Sequence, residues 1–176
     1  YSGGATSIDT ATVIIKRPPV VLVHGLNDNI KLWDDFNLPE KFDVHKLKIG
    51  GKDNFDKNAN LILSLLPNVI REIRKTNVAC NQVYYVGHSM GGIVLRYAET
   101  YYANIFFTQK NYNKGYVNKF ITLDTPHKGS PLANLLGTMY KPYKLLNKKI
   151  NLFEEFYLRD DKTDELVSIT PAVNDL

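Results

Sequence analysis

The residues most able to do chemistry in this sequence are Gly87-His88-Ser89-Met90-Gly91-Gly92. A serine hydroxyl is a weak nucleophile until it is held exposed beside a base, and a Gly-x-Ser-x-Gly turn can do the holding. Its flanking glycines, Gly87 and Gly91, have no side chain to resist a sharp backbone bend. The apolar run Val83-Tyr84-Tyr85-Val86 before the turn reads as a strand, and Ile93 to Tyr102 after it as a helix. Strand, turn and helix in that order define a nucleophile elbow, whereas a glycine-rich helix start with an incidental serine needs no strand before it. Ser89 is therefore predicted to be a catalytic nucleophile that attacks a carbonyl carbon.

Such an attack puts negative charge on the carbonyl oxygen, and two backbone groups are placed to receive it. One is the Met90 N–H, at the start of the helix after the elbow. The other is the Leu26 N–H, in the loop after Val20-Val21-Leu22-Val23. Losing one donor of this kind typically costs about 2.7–4 kcal/mol of transition-state stabilisation. Gly25 keeps the approach between the two loops clear. Among the histidines, His24 and His88 adjoin these loops and His127 follows a third, so all three are expected to line the site. His45 reads as a surface residue. Cys80 has no partner for a zinc site, and neither a metal nor another cofactor is expected.

These residues need strands to carry them. Val20–Val23 is wholly apolar, the pattern of a parallel strand buried on both faces. Val44–Ile49 is a strand with lysines interleaved, which places it near a sheet edge, and Phe120–Leu123 is a further strand. Thr12–Lys16 is β-branched and also predicts a strand, interrupted by Arg17-Pro18-Pro19. Trp33, Phe36 and Leu38 suggest a short helix that ends before Pro39. From Phe55 to Lys75, apolar residues recur at Phe55, Ala59, Ile62, Leu66, Val69 and Ile73, one face of a helix. Asn54 is its N-cap, and Pro67 should kink or split it. Ala103–Asn118 reads as an insertion whose crowded tyrosines serve local packing. Tyr1–Thr10 is small and polar and is expected to be poorly ordered. The alternation of strand and helix implies a mostly parallel sheet with helices on both faces. In such sheets, sites form beyond the carboxyl ends of the strands. The loops at His24-Gly25, Gly87-His88-Ser89 and Thr125-Pro126-His127 should thus meet at one edge.

The chain has 176 residues, 44% hydrophobic and 23% charged, which suits one soluble globular domain with a sizeable core. Its +4 charge comes from scattered lysines without a basic-aromatic ladder, so nucleic acid is not an expected partner. Cys80 is the single cysteine; it can form no intrachain disulfide and reads as a half-buried small residue. No apolar run approaches the ~18 residues that would span a bilayer. The sequence begins at Tyr1 without a signal peptide and holds no Asn-x-Ser/Thr sequon. A secreted or cell-surface bacterial setting is the expectation.

Three motifs in order resemble the α/β-hydrolase superfamily. They are Val20-Val21-Leu22-Val23-His24-Gly25-Leu26 with Trp33, then Val86-Gly87-His88-Ser89-Met90-Gly91-Gly92, then Leu123-Asp124-Thr125-Pro126-His127-Lys128-Gly129-Ser130-Pro131-Leu132-Ala133. Within that superfamily the sequence looks most like the bacterial lipases, the lecithin:cholesterol acyltransferase-like proteins and the glycosylphosphatidylinositol-inositol deacylases. The resemblance covers about Pro18 to Ala133. It implies hydrolysis of acyl-ester or lipid substrates without metal, with Ser89 as nucleophile and Leu26 and Met90 as oxyanion donors. An acyltransferase using the same serine is the close alternative, and a degenerate, non-catalytic binding module the more distant one. The segment from about 131 to 158 would be a cap or lid, and Leu132–Leu146 could touch a lipid surface transiently.

The sequence departs from the superfamily at the other two triad members. In this fold the order is serine, then acid, then histidine. Only His127 follows Ser89, and only Glu99 and Asp124 lie between them. An Asp124/His127 pair obeys the order, but both partners would have to reach Ser89 from a single strand end. The resemblance favours a structural role for this loop, and an acid and base supplied by strands beyond Leu176. The expected architecture is then an α/β-hydrolase domain lacking its last strands.

Overall fold

The computed structural model describes residues 10–26, 28–51 and 53–129, together with the short strands at 158–159 and 166–167. The expected cap from residue 131, the Leu132–Leu146 segment and nearly all of the Tyr1–Thr10 leader lie outside the described residues. Four strands form one parallel sheet: β1 (Val20–Val23), β2 (Val44–Leu47), β3 (Val83–His88) and β4 (Val117–Leu123), in the order β2-β1-β3-β4. Among the described residues three α-helices accompany them: α1 (Phe55–Arg74), α2 (Met90–Tyr101) and the short α3 (Ala103–Phe106). A separate antiparallel pair joins β5 (Leu158–Arg159) and β6 (Leu166–Val167).

The order of the strands explains where the helices lie. From β2 to β3 and from β3 to β4 the chain moves in one direction across the sheet, so right-handed connections put α1 and α2 on the same face. From β1 to β2 it moves the other way, and a 3-10 helix at Ile30–Trp33 crosses the opposite face. Each residue of β1 is buried. Val21 and Val23 pack with α1 and α2, through Ile62, Leu66, Ile93 and Val94 among others. Val20 and Leu22 pack on the other face with Trp33 and Val86.

The local signals explain most of these elements. Asn54 caps α1 by accepting a hydrogen bond from the Lys57 N–H at 2.8 Å. Pro67 lies inside α1, yet the helix runs unsplit over 20 residues, its apolar face held on the core on both sides of the proline. Among the described residues β2 occupies a sheet edge, as its interleaved lysines predict. Thr12–Lys16 is not a strand: only Ile14 pairs, in an isolated parallel bridge with Val78. Asn77, just before Val78 in that bridge, has φ 58°. The helix expected around Trp33 is shorter and earlier than its apolar residues suggest, because the Asn29 side chain caps it at the Lys31 N–H. Residues 103–118 pack locally, with Phe106 buried between the rings of Phe107 and Tyr116. Cys80 is half-buried and free, and burial pushes its thiol up. Among the described residues, no helix is long and apolar enough to cross a membrane.

Candidate active site

β1 leads to one side of the sheet and β3 to the other, so their carboxyl ends part around a crevice, the switch point at which open α/β sheets bind ligands. The elbow sits there. β3 ends at His88 and α2 begins at Met90, so the chain turns on Ser89 alone. Ser89 has φ 50° and ψ −122°, a left-handed conformation that costs a residue with a Cβ about 1–3 kcal/mol and persists only where its surroundings enforce it.

Those surroundings are identifiable. The Ser89 N–H donates to the Leu123 carbonyl at 2.8 Å. Its own carbonyl accepts from Thr125 Oγ1 at 3.0 Å and from the Gly92 N–H at 3.1 Å. Tyr85, fully buried under the turn, donates its hydroxyl to the Gly91 carbonyl at 2.8 Å. Burial pushes the Tyr85 phenol well above its ordinary range, which keeps the donor in place. Glycine is needed where backbone meets backbone: a Cβ on Gly91 would fall 2.6 Å from the carbonyl oxygens of Val23 and His24. A Cβ on Gly25 would fall 2.7 Å from Ser89 Cβ and 3.2 Å from Ser89 Oγ. The loop after β1 therefore runs directly alongside the serine hydroxyl.

His24 is completely buried behind that loop. Its Nε2 accepts from the Ile49 N–H at 3.2 Å, which puts the ring hydrogen on Nδ1, 3.0 Å from the Gly25 carbonyl. It thereby ties the end of β1 to the chain leaving β2. Asn58 extends the tie: from α1 it accepts from the Gly50 N–H at 2.8 Å and donates to the Gly50 carbonyl at 2.9 Å. The ring of His88 stands edge-on to Trp33, with centroids 6.4 Å apart. Leu26 packs partly against the core and Met90 is buried in it. Among the described residues, no acceptor takes the backbone N–H of either. That is expected for Met90, whose N–H opens a helix and has no partner within it.

The third loop arrives from β4. Its Thr125 touches Ser89 as described, but His127 turns elsewhere. Arg96 on α2 has only donors, and its Nη1 lies 2.9 Å from His127 Nδ1. The ring hydrogen is then on Nε2, 3.1 Å from Thr122 Oγ1. Both ring nitrogens of His127 are taken, by partners other than Ser89 and Asp124. Asp124 itself has φ 49°, the bend that swings Thr125 toward the elbow. His45 lies near the surface beside Asp43, away from the three loops. Among the described residues no three metal-ligating side chains are grouped. A cavity of about 530 Å³ opens between Val13, Arg74, Asn77, Cys80 and Tyr112, at the amino ends of the strands, away from Ser89.

Parallel sheet, switch-point crevice and elbow together define the α/β-hydrolase fold. The mature form of the Bacillus licheniformis lipase BlEst2 shares it, with a TM-score of 0.57 and 24% identity over 86% of this chain and 61% of that one. Residues 41–175 match the PGAP1-like alpha/beta domain, and the chain belongs to that family. The GPI inositol-deacylase of Schizosaccharomyces pombe is 52% identical over 50 residues, 28% of this chain and 4% of that protein. The GPI inositol-deacylase of Eremothecium gossypii is 35% identical over 100 residues, 53% of this chain and 8% of that protein. The chain thus spans under a tenth of the length of these curated relatives. The expected membership of the hydrolase superfamily, and of its lipase and inositol-deacylase side, holds.

Proposed function

We propose that this protein is a carboxylic-ester hydrolase whose nucleophile is Ser89 and whose oxyanion hole is made by the backbone N–H groups of Leu26 and Met90. The observation that carries the proposal is Ser89 itself, held left-handed by Leu123 and Thr125 with the Gly25 loop against its hydroxyl. Ser89 Oγ forms a bond to the acyl carbon while its proton passes to a base. The tetrahedral intermediate then expels the alcohol, leaving an acyl-serine that water hydrolyses. Because His127 is engaged by Arg96 and Thr122, the base and the acid that orients it are assigned to residues outside the described segments.

The substrate class is an acyl ester of a lipid-like alcohol. The names of the deacylase relatives support an ester on an inositol ring, and the BlEst2 likeness supports only the fold. Turnover of a short-chain p-nitrophenyl ester, abolished in Ser89→Ala, is the expected result; turnover that survives Ser89→Ala contradicts the proposal. One observation favours a second reading, a binding module without catalysis: the only histidine after Ser89 is already engaged. Binding of a long-chain ester without any turnover, in wild type and Ser89→Ala alike, would select it.

A further inference from the structure

We infer that Arg96 is a positioning residue for this reaction: acting through His127 and Thr125, it aims the Met90 N–H at the developing oxyanion. The inference rests on the reading of Ser89 as nucleophile and names a residue that neither the elbow nor the oxyanion loop contains.

Arg96 lies about two turns along α2, the helix that starts at the elbow. Its guanidinium meets an imidazole rather than a carboxylate, which leaves His127 one role at each nitrogen: acceptor from Arg96 Nη1 at 2.9 Å and donor to Thr122 Oγ1 at 3.1 Å. Thr122 is on β4, in register with Gly87 of the elbow. The His127 N–H donates in turn to the Thr125 carbonyl at 2.9 Å, closing a tight turn over Pro126. Thr125 Oγ1 then donates to the Ser89 carbonyl at 3.0 Å. A closed circuit runs from Ser89 along α2 to Arg96, across to His127, back through Thr125 and onto Ser89 again.

What the circuit fixes is one peptide plane. The Ser89 carbonyl and the Met90 N–H belong to the same planar unit and point in opposite directions. The Thr125 hydroxyl, together with the Gly92 N–H at 3.1 Å, holds the Ser89 oxygen and so helps to set the direction of the Met90 N–H. Without the Arg96 bond, His127 can rotate, the turn over Pro126 loosens and Thr125 releases that oxygen, leaving the Gly92 N–H as its one remaining tether among the described residues. Ground-state substrate binding does not depend on this plane, but stabilisation of the oxyanion does.

The test is a set of steady-state measurements on a p-nitrophenyl ester, with rates normalised to the fraction of protein titrated by a fluorophosphonate and folding followed by circular dichroism. Arg96→Met is expected to lower kcat about ten- to a hundredfold, the usual effect of misplacing a catalytic group, with KM changed less than about twofold. The Arg96→Met/His127→Phe double variant is expected to be no slower than the slower single one, because both act through one circuit. Arg96→Lys, which keeps a donor, should recover part of the rate. A wild-type kcat per titrated site in Arg96→Met, with only the melting temperature lowered, would overturn the inference, and so would single effects that multiply in the double variant. Where Arg96→Met fails to fold, Arg96→Lys with His127→Asn forms the same cycle: non-additive losses of kcat support the inference and multiplying losses overturn it. Turnover that persists in Ser89→Ala overturns the nucleophile reading and this inference with it. That outcome is recognised without any Arg96 variant.

Discussion

Ser89 and Gly25 face each other across the crevice, and the space between them is set by the missing side chain of Gly25. A methyl group there would sit 2.7 Å from Ser89 Cβ, against a residue whose backbone is already held left-handed. Gly25→Ala should therefore cost more activity than stability: a fall in ester turnover of about a hundredfold, with the folded state retained by circular dichroism. Wild-type turnover would show that the two loops separate easily. Tyr85 offers a second test, through pH. Its phenol is pushed up by burial, so the folded state favours the protonated form. That stabilisation is complete below about 10, the ordinary tyrosine value, and is lost as pH climbs from there toward the raised folded value. At neutral pH, Tyr85→Phe should be less stable by about 1 kcal/mol for its lost bond to Gly91. Urea denaturation should show that gap closing as pH rises above about 10, and parallel curves would contradict the assignment. At this scale the sequence is informative where geometry is local. The elbow is legible because strand, turn and helix are contiguous. Arg96, Thr122 and Tyr85 are not, because their partners are set by sheet register and by where α2 lies.

Among the elements, α1 does more than cover the sheet. Through the buried side chain of Asn58 it fixes both polar groups of Gly50, just after Ile49 donates to His24. One chain of bonds thus connects α1, the end of β2 and the Gly25 loop. Asn58→Ala would leave the Gly50 N–H without its acceptor, while the Gly50 carbonyl keeps the Asp53 N–H, at a cost of about 1–3 kcal/mol. Urea denaturation measures that cost, and a change below about 0.5 kcal/mol, typical of a surface substitution, would argue that solvent already satisfies Gly50. The periodic pattern of α1 and its Asn54 cap announce the helix from sequence. Asn58 gives no such signal, since a polar residue on a helix is ordinarily solvated. Thr12–Lys16 shows the reverse error. β-branched residues favour an extended chain but do not supply a partner, and the chain around Val78 offers Ile14 only a single bridge. Pro67 interrupts the α1 pattern without splitting the helix, because packing on both sides outweighs one missing hydrogen bond.

For the molecule as a whole, topology does the assembling. With right-handed connections, the strand order β2-β1-β3-β4 sends the chain after β1 and the chain after β3 to opposite faces, leaving the crevice between them. The alternation of apolar strands and helices is enough to read the fold class from the sequence, and the three motif loops do meet at Ser89. The triad is less legible. Order alone leaves Asp124 and His127 as candidates, and only three-dimensional contacts show that His127 is committed to Arg96 and Thr122. The chain spans 4% and 8% of its curated deacylase relatives, so the activity of the whole protein stands as a proposal that rests on one hydroxyl. The most direct test is to treat the protein with a fluorophosphonate and locate the modified residue by peptide mass spectrometry. The account predicts a phosphonylated Ser89 and no adduct in Ser89→Ala; an unmodified Ser89, or an adduct on a different residue that Ser89→Ala leaves intact, would contradict it.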